Sequence, residues 1–322
     1  MRSALITGIA GQDGSYLAEL LLEKGYRVIG TVPPGKPENP ENLRNVRDRV
    51  EITFTDLLDQ ERIIEVIAGL RPDEIYNFAS QSHLLTSVDD PVMTGEISGI
   101  GVTRILEAIR VVSPTTRFFQ ASSSEMFGRQ PKEEPQTEET PFTPWNTYAA
   151  AKLYAHWVVN SYRRNHGIFA CSGILYNHES PRRRPQFVSR KITQGAAKVK
   201  LGQMSKLHLG NLDARRDWGF AEDFVRAIWL MLQQSLPDDF ILATGETHSV
   251  RDLCEAAFSC VGLDYREHVV QESVDFRPVE TTVLVGDPGK ARRVLGWEPA
   301  VSFQEMVRRM VDSDMELLQN AT

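Results

Sequence analysis

Cysteine is scarce in this chain. Cys171, Cys254 and Cys260 are the only three in 322 residues, and no two stand in a CxxC spacing. That excludes a disulfide-stapled scaffold and a cysteine-built metal site, and it points to a reducing compartment. Long apolar runs are missing too: none reaches the roughly 20 residues needed to cross a bilayer. The start, Met1-Arg2-Ser3-Ala4-Leu5-Ile6-Thr7-Gly8, is a short apolar run entering a glycine turn. It lacks the apolar region and cleavage site of a signal peptide. Positive charge is in deficit, with 36 Lys and Arg against 43 Asp and Glu and a net charge of -7. That argues against a nucleic-acid footprint, although a local basic cluster can still hold a small anion. No repeat, low-complexity tract or true linker interrupts the chain. The expectation is a cytoplasmic chain without metal, membrane or nucleic-acid partners.

What is present is enough apolar content, 41%, for a large core in one α/β unit or two unequal domains. Strands are expected over 4–7, 26–32, 50–54, 74–78, 117–122 and 170–175. Helices are expected over 14–24, 61–70, 103–111 and 148–163, from apolar periodicity. Pro33 to Pro40 reads as a loop. Strands alternating with helices imply a doubly wound parallel sheet of Rossmann-like type. After Asn177 the character changes to charged, Pro-rich segments such as Ser180-Pro181-Arg182-Arg183-Arg184-Pro185. Residues 1–177 are therefore expected to form mainly the dinucleotide-binding domain. Residues 178–322 form mainly a smaller, mixed α/β substrate-binding portion, interleaved with the first.

Gly8-x-x-Gly11-x-x-Gly14 lies between the first strand and the first helix. Glycines there let the backbone approach a pyrophosphate, and the helix N-terminus supplies amide donors. Which dinucleotide binds stays open. An acidic residue closing the second strand would take a ribose diol and arginines would take a 2′-phosphate. The strand ends Gly30-Thr31-Val32-Pro33-Pro34, with Lys36 the nearby cation. Asp56 reads equally as an acceptor for the adenine amino group or as a helix N-cap.

Tyr148 and Lys152 stand four apart on an expected helix and share a face. An ammonium beside a phenol favours the phenolate and lowers its pKa, so the phenolate can take a hydroxyl proton while hydride leaves. Ser122-Ser123-Ser124-Glu125 closes a strand upstream, where ligands sit in such sheets. Ser123 can bond the same substrate oxygen, and the other serines read as turn chemistry. Glu125 is an added carboxylate able to remove a C–H proton next to a new carbonyl. Its competing reading is a surface or capping glutamate. Trp218 reads as core, and His83 and His178 as hydrogen-bonded structural imidazoles.

These segments resemble the extended short-chain dehydrogenase/reductase family, and within it the GDP-mannose 4,6-dehydratases, over nearly the whole chain. The resemblance rests on Ile6 to Gly14, Tyr76-Asn77-Phe78-Ala79-Ser80-Gln81-Ser82-His83, Gln120 to Gly128, Asn177-His178-Glu179-Ser180-Pro181, Gly210 to Gly219 and Phe276-Arg277-Pro278-Val279-Glu280. It implies conversion of a GDP-hexose to its 4-keto-6-deoxy form, with hydride passing from C4 to C6 and water lost. Tyr148, Lys152 and Ser123 would act at C4, and Glu125 at C5. It implies NADP, with NAD the other choice, held by Gly8, Gly11, Gln12, Asp13, Gly14, Asp56, Leu57, Ala79, Tyr148, Lys152, His178 and Arg183. It implies a GDP-sugar held by Ser82, Asn177, Val188, Lys191, Arg216, Arg277 and Glu280.

The chain departs from the family pattern in places. Pro33-Pro34-Gly35-Lys36 replaces an Arg-Arg pair followed by serines, which in the family grips the 2′-phosphate and reaches a neighbouring subunit in a tetramer. Trp145-Asn146-Thr147 replaces an Arg-Ser-Pro before the tyrosine. A homodimer through helices near 95–112 and 148–164 is implied, with the tetramer left open. Another GDP-sugar such as a heptose, a GDP-sugar epimerase or reductase, and a non-catalytic nucleotide-sugar binder are the competing readings.

Overall fold

The computed structural model describes residues 1–35, 41–81, 84–129, 134–272 and 283–320. Seven strands form one sheet: β1 (Ser3–Thr7), β2 (Arg27–Val32), β3 (Val50–Phe54), β4 (Glu74–Asn77), β5 (Arg117–Ser123), β6 (Ala170–Leu175) and β7 (Asp239–Leu242). Their order is β7-β6-β5-β4-β1-β2-β3, and every neighbour is parallel. The chain steps from β1 outward to β3, then returns to the other side of β1 with β4. That reversal opens a crevice at the strand ends beside Thr7 and Asn77, where ligands bind in sheets of this kind.

Parallel strands buried on both faces need apolar side chains on both. Ala4, Ile6, Tyr76 and Phe119 pack on one face with Leu17 and Leu21 of α1 (Gln12–Glu23) and Phe224 and Ile228 of α6 (Ala221–Gln233). Leu5, Ile75 and Phe118, their immediate neighbours, face the opposite way. They meet Ile67 of α2 (Gln60–Leu70), Ile105 and Ile109 of α3 (Gly101–Val112) and Val159 of α4 (Thr147–His166). The period of two along each strand thus builds both layers.

A second core is formed by α5 (Val188–Lys200), α7 (Val250–Cys260) and α8 (Phe303–Asn320), around Ile192, Trp218, Phe258, Phe303 and Met310. Trp218 is core, as expected. Arg190 ties α5 to α8 through Asp314, at 2.9 Å from Nε and 2.7 Å from Nη2, and Thr193 donates to the same carboxylate at 2.7 Å.

The sequence reading placed six strands correctly to within a residue or so and missed β7. Its Phe240-Ile241-Leu242 run is too short to announce itself, yet it pairs with β6 and completes the sheet from the C-terminal half. The expected helix over 103–111 is the last part of a longer helical run. Residues Pro91–Gly95 and a π-helical turn, Glu96–Ile100, precede it. The loop expected over 33–40 lies partly outside the described residues, from 36 on. Among the described residues no helix is long and apolar enough to cross a membrane, and no His, Cys, Asp and Glu cluster could hold a metal.

Candidate active site

The glycine turn is a backbone junction. Gly8 has φ +69°, and a Cβ there would lie 2.9 Å from the Ala79 amide nitrogen. A Cβ on Gly14 would lie 2.5 Å from the Gly8 carbonyl oxygen and 2.7 Å from Ile9 Cα. The turn, the first turn of α1 and the end of β4 therefore touch through main chain alone. Gly11 is the N-cap of α1, and no side chain caps the helix, so its positive end is presented to an anion. This cradle fits the pyrophosphate of a dinucleotide. Gly14→Ala must push backbone apart, and we expect a loss of about 1–3 kcal/mol in denaturant unfolding. An unchanged midpoint would show that the junction is looser than drawn.

Two of the expected cofactor residues lie against each other at this turn. His178 Nε2 is 3.0 Å from Asp13 Oδ1, and His178 Nδ1 is 2.7 Å from the Tyr176 carbonyl oxygen. The Asp13 charge beside Nε2 and the carbonyl beside Nδ1 favour the imidazolium. Burial works against both charges, and pairing overcomes it: the Asp13 carboxyl is lowered and the His178 imidazole raised. Gln12 braces the pair, donating to the His178 carbonyl at 3.0 Å and to Asp13 at 3.1 Å. His178 is a structural imidazole in this sense, yet it sits beside the glycine turn.

Asp56 and Leu57 follow β3. Asp56 accepts from the Leu58 amide at 3.0 Å, while Asp59 is the N-cap of α2 and accepts from Arg62. The N-cap alternative for Asp56 is thereby corrected: the helix starts three residues later than that reading requires. Leu57 is buried, and its Cβ approaches the Gly101 position at the start of α3. Ala79 donates its amide to Thr7 Oγ1 at 3.2 Å.

The four expected catalytic residues come together. Ser123 ends β5, and its hydroxyl accepts from the Glu125 amide at 3.2 Å. Ser123 also acts to lower the pKa of the Tyr148 phenol, on which the charges of Glu125, Arg183 and Asp13 act as well. Tyr148 and Lys152 lie on α4, with Nζ 5.7 Å from the phenol ring centroid. Lys152 is 3% exposed and donates to the Ala121 carbonyl oxygen at 2.8 Å.

One electrostatic expectation needs correction. The protein by itself does not hold the Tyr148 phenol low. Burial pushes it up to about 12, the Ser123 hydrogen bond lowers it, and the Glu125 carboxylate raises it. Burial pushes the Lys152 ammonium down to about 8, against the opposing pull of Asp13. Desolvation is the largest influence on both groups.

On the substrate side, Asn177 lies in the ladder Asn177–Glu179, which pairs in parallel with Trp218–Phe220. That register brings Asn177 opposite Trp218, two residues from Arg216. Arg183 stacks on Phe187 at 3.8 Å and pairs with Glu179 at 3.1 Å. Glu179 in turn accepts from Ser189 at 2.5 Å, tying this segment to the start of α5. Val188 and Lys191 are exposed on that first turn. Arg216 donates to the Arg215 carbonyl at 2.7 Å. Ser82, His83, Arg277, Glu280 and Lys36 lie outside the described residues.

The sequence reading missed a role for Asn146, noted only as a departure. Its Oδ1 accepts from the Ala149 amide at 2.7 Å and its Nδ2 donates to Glu125 Oε2 at 3.2 Å. An asparagine two residues before a helical tyrosine was a readable N-cap signal.

A Rossmann-like sheet with a serine, a glutamate and a Tyr-x-x-x-Lys pair at its strand ends defines an enzyme of the extended short-chain dehydrogenase/reductase type. The family model described as GDP-mannose 4,6 dehydratase matches residues 5–310, and the chain belongs to that family. It is 45% identical over 326 residues to GDP-mannose 4,6 dehydratase 1 of Arabidopsis thaliana, covering 98% of this chain and 90% of that protein. It is 43% identical over 343 residues to the GDP-mannose 4,6 dehydratase of Homo sapiens, covering 98% and 92%. Among solved structures, the dTDP-glucose 4,6-dehydratase of Streptomyces venezuelae with NAD and TYD bound is similar at TM-score 0.86 and 25% identity, covering 98% of this chain and 97% of that one.

Proposed function

We propose that this chain is a GDP-mannose 4,6-dehydratase, converting the GDP-hexose to its 4-keto-6-deoxy form. The observation that carries the reading is the convergence of Ser123, Glu125, Tyr148 and Lys152 on one strand end and one helix face. Tyr148 takes the proton of the C4 hydroxyl, and Ser123 orients that oxygen. Lys152 stabilises the phenolate that takes this proton. Glu125 removes the C5 proton, made acidic by the neighbouring carbonyl, and passes it to the departing C6 hydroxyl, which leaves as water. A nicotinamide dinucleotide, when bound at Gly8 to Gly14 with Asp56, Leu57 and Ala79, supplies a hydride acceptor that is restored within each turnover. NADP is the form the family leads us to expect and NAD the alternative, because Val32-Pro33-Pro34-Gly35 offers neither a carboxylate to a ribose diol nor an arginine to a 2′-phosphate. The GDP moiety is assigned to Asn177, Val188, Lys191 and Arg216, with Ser82, Arg277 and Glu280. Residues 178–322 would then serve mainly the sugar nucleotide and 1–177 mainly the cofactor.

The test is incubation of the purified protein with GDP-mannose and no reductant. A product lighter by one water, with a 4-keto-6-deoxy NMR signature, supports the reading. A reductase would stall without reductant, and an epimerase would give a product of unchanged mass. GDP-mannose bound but unaltered would move the substrate to another GDP-sugar, such as a heptose.

The titration of Lys152 gives a pH test. The productive pair is phenolate with ammonium. Below pH 8 each unit raises the phenolate about tenfold while the ammonium persists; above it the loss of ammonium cancels the gain. We expect kcat/KM to climb and level off near pH 8. In Lys152→Arg the break moves to higher pH, because a guanidinium stays charged. An identical break in the variant would remove Lys152 from this role.

A homodimer is part of the same proposal. Ile100, Val111, Tyr154 and Trp157 are 40%, 57%, 46% and 53% exposed on the adjoining helical run and α4. Trp157→Glu is expected to halve the mass measured by light scattering. A wild-type monomer would refute the dimer.

A further inference from the structure

We propose that Asn146 is a positioning residue for Glu125, setting the carboxylate for the C5 proton through one amide that also starts the catalytic helix. The inference rests on the dehydratase reading above. The orientation of the Asn146 amide is forced. Its oxygen accepts from the Ala149 amide at 2.7 Å as the N-cap of α4. An amide whose oxygen is so engaged must turn its nitrogen the other way, and there it meets Glu125 Oε2 at 3.2 Å. Glu125 is thus fixed at two points, its own amide on Ser123 Oγ at 3.2 Å and one carboxylate oxygen on Asn146. The second oxygen remains to take a proton. A glutamate side chain is otherwise free about several bonds, and holding it costs entropy that the donor offsets. Tyr148 follows Asn146 by two residues, so the same amide sets the spacing between the group acting at C4 and the group acting at C5.

Two substitutions separate this role from simple capping. Asn146→Ser and Asn146→Asp both keep a capping oxygen. Serine is too short to reach Glu125, and aspartate would face it with like charge. We expect kcat to fall about ten- to hundredfold in Asn146→Ser, as for loss of one hydrogen bond to a charged group, and further in Asn146→Asp. KM should stay within about threefold and the melting temperature unchanged, because substrate contacts and cap are retained. The kinetic isotope effect from deuterium at C5 should grow, and that from deuterium at C4 should shrink. Equal slowing of both steps would mean that Asn146 acts only through α4, and wild-type kcat and isotope effects in Asn146→Ser would overturn the proposal outright. A substrate-free readout guards against failure of the reading itself. The Asn146 side-chain amide resonances of selectively labelled protein should shift on Glu125→Gln. No shift would refute the contact whether or not GDP-mannose is turned over.

Discussion

Tyr148→Phe is expected to lower turnover of GDP-mannose by about a thousandfold while leaving its binding within about twofold, since a positioned general base contributes 10² to 10⁴. In the proposed mechanism the phenol hydroxyl takes the C4 proton. It lies on α4 with Lys152 a turn away. Phenylalanine keeps the ring and its packing, so folding should survive. The phenol is itself difficult to ionise, held up to about 12 by burial, which keeps the expected loss in the middle of that range rather than at its top. Removing it leaves water, which Ser123 alone cannot activate. Isothermal titration with GDP-mannose, beside steady-state assays, separates the two effects. Activity within tenfold of wild type would move the C4 base elsewhere.

Glu125→Gln is expected to have an effect of similar size, about 10² to 10⁴ in overall rate, but at a different step. The side chain keeps its shape and can still meet Asn146. It loses the ability to take a proton. Oxidation at C4 should proceed, while solvent deuterium ceases to enter C5 and no water is lost. If water loss continued at the wild-type rate, Glu125 would not be the base, and its hydrogen bond to Asn146 would be structural only. The two variants therefore block successive steps. Their combination should be no worse than the slower of the two single variants, because the slower block hides the other.

Much of this was legible in the sequence. The strand-turn-helix around Gly8 to Gly14 follows from spacing and from apolar runs on either side, and its close main-chain contacts are ones only glycine permits. The Tyr148 and Lys152 pair follows from helical periodicity, and Ser123 and Glu125 from their place at a strand end. Three features were not legible, each for a physical reason. β7 is four residues long, and its identity as a sheet strand depends on an edge of β6 left open by the rest of the fold. The pairing of Asp13 with His178 joins residues 165 positions apart, which no local pattern reports. The titration of Tyr148 was expected from its charged neighbour, but burial acts on both partners and dominates. Asp56 illustrates the limit of capping rules: the chain offers Asp56 and Asp59 in succession, and only the backbone course selects Asp59.

The central claim is that one site removes hydrogen from C4, eliminates water across C5 and C6, and returns the same hydrogen to C6. The most direct measurement uses GDP-mannose carrying deuterium at C4, with the product read by NMR and mass spectrometry. The expected result is a 4-keto-6-deoxy product, lighter by one water, with the deuterium retained in the C6 methyl group of the same molecule. Deuterium washed into solvent, or a product that has lost C4 deuterium without gaining it at C6, would contradict the account.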